Sequence, residues 1–488
     1  MKSNFSKLLF LLPGVVLLQI NAIAQSDKKP LNILMILVDD MGWSDPGCYG
    51  NPIIQTPNID KLASQGARFT HAYACPVCTP SRAALQTGQY PARLKMTDVP
   101  NGHRRPYGKL VPPEIFWQLK REHITIAEAI KNTGYISGIF GKWHLGFDKN
   151  HQPGEQGYVF PEDKPLQGSY ANKLNDWVKA NPYKGIGNQV KQCIQFIEQN
   201  KGKPFFCIAS FSAVHTDPEA RPYLIDKYKR IVVANRTTIN PVYAAMCEMM
   251  DESVGLFQEV LNSLGIVENT LVIFYSDNGG VVEERGYLFN GYANLVTHNW
   301  PLRDEKGTLY EGGIRVPLIA VWPGIIKPGT IIDAAFHTVD FFPTLLELTG
   351  NPKPKDMILD GQSFLPILKG KNQTFNRDLF WHYPHYHHST PASAILSGDY
   401  KLIHFYETDK NELYNLSKDI GEQYDLAETF LDKKEELYSK LMNWLKETDA
   451  SLPRENPFYD PARQLIWGER ISNDKLKGGK TFGLETDD

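Results

Sequence analysis

The chain has 488 residues, 42% of them hydrophobic, enough to bury a large core and to form one big domain with a smaller one. A formal net charge of −3 excludes any general attraction to nucleic acid or to a membrane surface, so an anionic ligand must be held by local basic residues. Six cysteines at 48, 75, 78, 193, 207 and 247 do not make a small-domain disulfide framework, and Cys207 and Cys247 lie in apolar strand and helix patterns that read as core.

Lys2 and Lys7 precede an apolar run from Leu8 to Ile20, and Ala22-Ile23-Ala24 supplies a small-residue cleavage site. Residues 1–24 therefore read as a signal peptide whose apolar core is too short to span a bilayer, and no lipid-anchoring Cys follows it. The expectation is a secreted or periplasmic protein.

Asn32 to Val38 is a nearly continuous apolar run, as expected of a parallel strand covered on both faces, and it ends in Asp39-Asp40. Thr56-Pro57 opens a short helix with Ile59, Leu62 and Ala63 inward and Gly66 as its stop. Thr125 and Glu128 form a capping box, and Gly134 ends that helix before a strand from Tyr135 to Phe140, which leads into Gly141-Lys142-Trp143-His144-Leu145-Gly146. Phe205 to Phe211 is a further strand, with His215 just after it. Tyr243, Met246, Met250, Val254, Phe257, Leu261 and Leu264 keep helical spacing and predict a core-facing helix. Leu271 to Ser276 delivers Asp277-Asn278-Gly279-Gly280, and Leu318 to Trp322 is another strand.

Alternating strands and helices predict an α/β fold, a large mixed and mostly parallel sheet flanked by helices, over residues 28–370. From about residue 371 the pattern changes to a hairpin of Ala394 to Leu396 and Tyr400 to Phe405 about Gly398-Asp399, and an amphipathic helix from Leu431 to Lys446. Residues 371–488 are accordingly expected to form a smaller α+β subdomain with an antiparallel sheet and a polar tail.

In parallel α/β sheets ligands gather outside the carboxyl ends of the strands. Asp39, Asp40, Lys142, His144, His215, Asp277 and Asn278 all fall at or soon after such ends. The four oxygen-bearing side chains among them favour a hard cation such as Ca²⁺ over zinc, although two ordinary post-strand turns would use the same residues. Cys78 is placed by Thr79 as N-cap and Pro80 as first helical residue just ahead of a helix running to Thr87 and closed by Gly88. That position would acidify a thiol, while a buried small hydrophobe is the plain alternative for a single Cys.

Cys78-Thr79-Pro80-Ser81-Arg82, continued by Ala83-Ala84-Leu85-Gln86-Thr87-Gly88, resembles the maturation motif of the type I sulfatases, and Gly-Lys-Trp-His-Leu-Gly resembles a second motif of that family. The resemblance spans roughly residues 31 to 345. It implies an alkaline-phosphatase-like fold and conversion of Cys78 to formylglycine by a formylglycine-generating or anaerobic maturing enzyme. It also implies Ca²⁺ held by Asp39, Asp40, residue 78, Asp277 and Asn278. By the same resemblance Arg82 holds the formylglycine, Lys142 binds sulfate, His144 is the base, and His215 and Lys306 contact sulfate and assist the departing alcohol. A hydrated aldehyde suits this chemistry because one hydroxyl attacks sulfur and deprotonation of the other expels sulfate. The implied substrate is a sulfated carbohydrate, galactose or N-acetylgalactosamine sulfate.

The sequence departs from familiar versions at Thr216-Asp217 after His215 and at Asp304-Glu305 before Lys306, where acids near a sulfate site would repel substrate unless they point away. Other readings are a phosphonate or phosphodiester hydrolase of the same superfamily, a thiol–disulfide oxidoreductase using Cys75-Pro76-Val77-Cys78, and a non-catalytic glycan-binding protein. His103-Arg104-Arg105 and the run Trp381 to His388, above all His382 and His385, are candidate sugar contacts, with solvated loops as the alternative.

Overall fold

The computed structural model describes residues 31–100, 105–283, 295–371, 375 and 377–466. The expected signal peptide, His103, Arg104 and the tail from Ser472 lie outside the described residues.

Seven strands form the main sheet: β1 (Asn32–Val38), β2 (Ala67–Phe69), β3 (Ile136–Gly141), β4 (Phe205–Ser210), β5 (Thr270–Ser276), β6 (Leu318–Val321) and β7 (Thr330–Ile332). Their order is β3-β4-β1-β5-β6-β2-β7. The block from β3 to β5 is parallel, β6 runs antiparallel to both neighbours, and β2 pairs β7 in parallel. β1 is an interior strand, paired with β4 and β5 and buried throughout, which explains its unbroken apolar run.

The pleat sorts its side chains between two cores. Leu34, Ile36 and Val38 pack with α3 (Ile186–Asn200) and α4 (Pro241–Ser263) on one face, while Ile33, Met35 and Leu37 pack with Ala83 and Leu85 of α2 (Cys78–Thr87) on the other. The predicted six-turn helix is α4, whose Met246, Met250, Val254, Phe257 and Leu261 are buried as expected. α1 (Pro57–Gln65) packs beside it, and its first turn is capped from a distance: Asp251 of α4 accepts from the backbone N–H of Asn58 at 2.9 Å and of Ile59 at 2.8 Å. α3 was not foreseen in the sequence, although its buried Val190, Cys193, Ile194 and Ile197 keep helical spacing.

The C-terminal region carries a four-stranded antiparallel sheet of β8 (Asp378–Tyr383), β9 (Ala392–Ser397), β10 (Tyr400–Phe405) and β11 (Lys410–Asn415), in sequence order. One face is covered by a helix over Leu431–Glu447, whose Leu437, Leu441, Trp444 and Leu445 meet Ile395, Leu402 and Leu413. The other face sets Ala394, Ile403 and Tyr414 against Tyr73, Val77, Tyr310 and Ile314 of the main body. Trp381 closes the seam by donating to the carbonyl of Ala74 at 2.8 Å. Among the described residues no helix is long and apolar enough to cross a membrane.

Candidate active site

The register of the parallel block places the site. Val38 stands opposite Ser276, and both Leu37 and Gly141 stand opposite Ser210, so four strands end on one rim. Asp39, Asp277 and Lys142, each the next residue after its strand, therefore emerge side by side.

Cys78 meets them from α2. The helix starts two residues earlier than expected: Val77 occupies the N-cap, so Cys78 is the first helical residue and Thr79, whose hydroxyl donates to the carbonyl of His144 at 3.3 Å, is inside the helix. The expectation of an acidified thiol fails for a related reason. Cys78 is 1% exposed, and burial raises its pKa more than Lys142 and Lys306 lower it. As a cysteine this residue is not an activated nucleophile.

Around Cys78 the charges are paired. The ammonium of Lys142 is 3.3 Å from Cys78 Sγ and 2.5 Å from Asp39 Oδ2. Arg82, one turn along α2, donates to Asp277 Oδ2 from Nε at 2.9 Å, to the carbonyl of Lys142 at 2.6 Å and to Ser210 Oγ at 2.7 Å. Lys306 donates to Asp40 Oδ2 at 2.7 Å, and Asn278 donates through Nδ2 to Asp40 Oδ1 at 2.7 Å. His215 Nε2 is 3.7 Å from Asp40 Oδ2. All six groups that sequence reasoning named as catalytic thus gather with the four oxygen ligands; His144 enters through its neighbours Lys142, Arg82 and Asp39, whose charges act on it.

This crowding sets the protonation states. Burial works to raise Asp39, but Lys142, His215, Arg82 and Lys306 together hold its carboxyl well below the usual range. Burial and the neighbouring Asp39 push Asp277 the other way, to about 7, against Arg82 and Lys142. Burial, then Lys142 and Arg82, lower His144 to about 3, and Lys306 followed by burial lowers His215, so both imidazoles are neutral at pH 7.

The donor set fits a hard cation. Oxygens of Asp39 and Asp277 lie with Cys78 Sγ within 4.8 Å of one another. Asp39 Oδ1 and Asn278 Oδ1 are buried without a hydrogen-bond partner, an arrangement that is expensive unless a cation answers it. His144 Nδ1 is likewise buried and unpartnered.

Several contributors were not singled out in the sequence. Ser210 receives Arg82 and donates to the carbonyl of Lys142 at 2.6 Å. Asp45, fully buried, accepts from Gly42 N–H at 2.7 Å, Thr297 Oγ1 at 2.7 Å and Tyr243 OH at 2.5 Å, fixing the turn after Asp40. Ser and Asp next to a rim strand were visible in the sequence, but their partners lie up to 252 residues away.

Other expectations are corrected. His382 bonds through Nδ1 to Ser393 Oγ at 2.7 Å and through Nε2 to the carbonyl of Ser451 at 3.0 Å, and burial lowers it to about 4. His385 is completely enclosed, with Nε2 2.8 Å from Thr97 Oγ1 and Nδ1 3.7 Å from Asp98 Oδ2. Neither ring offers a face to a sugar, because the loop folds inward as packing between the two regions. Arg105 stacks its guanidinium 5.2 Å from the centre of the Tyr386 ring. Glu305 turns its carboxylate to the backbone N–H groups of Val282 at 2.6 Å and Glu283 at 2.9 Å, so this departure from the familiar pattern points away from Lys306.

A family profile described as Sulfatase matches residues 31–351. The chain belongs to the sulfatase family. It is thereby a sulfuric ester hydrolase, in agreement with its named relatives. A second profile, N-sulphoglucosamine sulphohydrolase, C-terminal, matches residues 298–451. The sulfatase is 32% identical to a Sulfatase of Formosa agariphila over 92% of this chain and 94% of that one. It is 33% identical to N-acetylgalactosamine-6-sulfatase of Canis lupus familiaris over 78% and 73%. Among solved structures it resembles Ps i-CgsB, with a TM-score of 0.70 and 25% identity over 88% of this chain and 95% of that one; the same protein has been solved with k-i-k-neocarrahexaose.

Proposed function

We propose that this sulfatase is an exported, Ca²⁺-dependent enzyme that removes a sulfate ester from a sulfated carbohydrate, using residue 78 as formylglycine. The observation that carries the reading is the buried cluster of Asp39, Asp40, Asp277 and Asn278 around Cys78, with two oxygens left for a cation and with Lys142 and Lys306, paired to Asp39 and Asp40, beside it. The carbohydrate class is supported by the relatives named for N-acetylgalactosamine sulfate and solved with a neocarrahexaose, and galactose or N-acetylgalactosamine sulfate is the specific substrate proposed. Export rests on the pattern of residues 1–24.

The side chains have separate tasks. Asp39, Asp40, Asp277 and Asn278 would hold Ca²⁺, which supplies positive charge to the attacking oxygen and to the sulfuryl group. Formylglycine at 78, as its hydrate, would supply one hydroxyl to attack sulfur and a second whose deprotonation releases sulfate. Lys142 and Lys306 bind the sulfuryl oxygens in a site where water is excluded and their charges act strongly. His144, held neutral, accepts a proton at an imidazole nitrogen. Lys306, which carries its proton at pH 7, would give it to the departing sugar oxygen as the S–O bond breaks. His215, neutral before substrate binds, would steady that oxygen through its ring N–H. Arg82 fixes Asp277, the backbone of Lys142 and Ser210 through its three contacts, and would hold the formylglycine in place one turn along the same helix.

Free sulfate released from a panel of sulfated sugars, with phosphodiesters and phosphonates alongside and residue 78 confirmed as aldehyde by peptide mass, tests the proposal. Sulfate from a galactose or N-acetylgalactosamine ester is the expected result. Turnover of the phosphorus esters alone, or none from fully matured protein, would overturn it.

A further inference from the structure

The Lys306 turn and the Asn278 turn are locked together by a one-turn helix, α5 (Glu311–Ile314). Gly279 N–H donates to the carbonyl of Gly313 at 3.0 Å, Gly312 N–H to that of Arg303 at 2.8 Å, and Lys306 N–H to that of Gly280 at 3.2 Å. The packing leaves no slack: a Cβ at Gly279 would stand 1.9 Å from the oxygen of Gly312, and one at Gly312 would stand 2.2 Å from that of Asp304. Whatever holds α5 therefore holds Lys306 and Asn278.

What holds α5 is a charge cluster shared with the C-terminal sheet. Lys401, on β10 and 0% exposed, reaches Glu311 Oε1 at 2.9 Å and Glu422 Oε1 at 2.8 Å. Glu311 also accepts from Tyr73 OH at 3.0 Å and Arg315 Nη1 at 3.1 Å through Oε2, and its backbone N–H donates to Glu422 Oε2 at 2.7 Å. Two cations, Lys401 and Arg315, face two carboxyl groups, Glu311 and Glu422, in a site closed to water. Apolar residues of similar volume would serve bulk stability as well. Ion pairs instead fix one arrangement, because each carboxylate oxygen has an assigned partner.

We propose that Lys401 is a positioning residue of the active site, holding the Lys306 and Asn278 turns in register through Glu311. The proposal rests on the role given to Lys306 above. In this arrangement the C-terminal sheet is part of the catalytic apparatus although it sends no side chain of its own to the substrate through this contact.

The test compares wild-type enzyme with Lys401→Met and with Lys401→Met/Glu422→Gln, which restores charge balance if the single variant does not fold. Matured, calcium-loaded proteins are assayed on an activated aryl sulfate and on a sugar sulfate, and their affinity for inorganic sulfate is measured by calorimetry. The expected result is a folded variant whose kcat on the sugar ester falls ~30-fold, as displacement of a group that assists a poor leaving alcohol requires, with a several-fold weaker affinity for sulfate. On the aryl ester, which needs little help in leaving, kcat should fall only about threefold. Equal losses on both esters, an unchanged sulfate affinity, or failure of both variants to fold would overturn the proposal, since Lys401 would then serve the fold alone. Silence of the wild type on every sulfate ester would instead count against the functional reading, and the sulfate affinities would still decide the role of Lys401.

Discussion

Replacing Lys142 by methionine removes one ammonium and keeps the length of the side chain. Its Nζ is 3.3 Å from Cys78 Sγ, so a sulfuryl group attacked from residue 78 arrives about one atom further on. The side chain is 17% exposed, which makes an intermediate dielectric appropriate, and a unit cation about 4 Å from one developing negative charge is then worth ~4 kcal/mol. That corresponds to about a thousandfold in rate as an upper bound. Lys306 remains as a second cation on the site, and Asp39 keeps Arg82 Nη2 at 3.8 Å after its closer partner is gone. The expected fall in kcat/KM for Lys142→Met is therefore ~10²–10³-fold, measured as sulfate release by matured, calcium-saturated enzyme whose melting temperature matches the wild type. A folded variant within about fivefold of wild type would refute the assignment of Lys142 to the sulfuryl group.

Three further outcomes follow from the geometry. Cys78→Ala abolishes turnover and leaves the melting temperature unchanged, whereas Cys78→Ser at best becomes sulfated and stalls; appreciable turnover by the purified alanine variant would remove residue 78 from the mechanism. Chelation lowers the melting temperature and added Ca²⁺ restores it, by ~4 kcal/mol of stability when the ion is about a thousandfold above its Kd; a calorimetric trace indifferent to both treatments would show that the Asp39 and Asp277 cluster holds no such ion. His382→Ala loses two buried hydrogen bonds, destabilises the fold by ~1–3 kcal/mol in chemical denaturation and leaves KM alone, while a raised KM at unchanged stability would return this ring to the substrate.

Much of the architecture was legible because it is written in local patterns. The unbroken apolar run of β1 reported a strand buried on both faces, and the Thr125 and Glu128 capping box is present with both of its reciprocal bonds. The rim of the site was legible for the same reason, since a strand's carboxyl end can be read from sequence and Asp39, Lys142 and Asp277 each follow one directly. What was not legible depends on partners far along the chain. Cys78 at a helix start promised a low pKa, but the desolvation imposed by strands and loops from elsewhere outweighs the helix and the lysines together. His382 and His385 looked like a sugar-facing loop because nothing local reveals that Ser451 and Thr97 are waiting for them. Glu311 and Lys401 are 90 residues apart, and neither motif nor periodicity joins them.

The burial of Cys78 fixes an order of events. Its side chain is sealed by groups that reach it or its neighbours across 64, 195 and 266 residues of chain, contacts that form only when the whole sheet has come together. On the proposed reading, an oxidising enzyme can meet this thiol only on an unfolded or partly folded chain. Maturation and folding are then competing first steps with different clocks, and the yield of active protein is set by their ratio. A substitution that speeds closure of the sheet would give a more promptly folded protein and a smaller fraction of it converted, so that gains in folding rate appear as losses of specific activity.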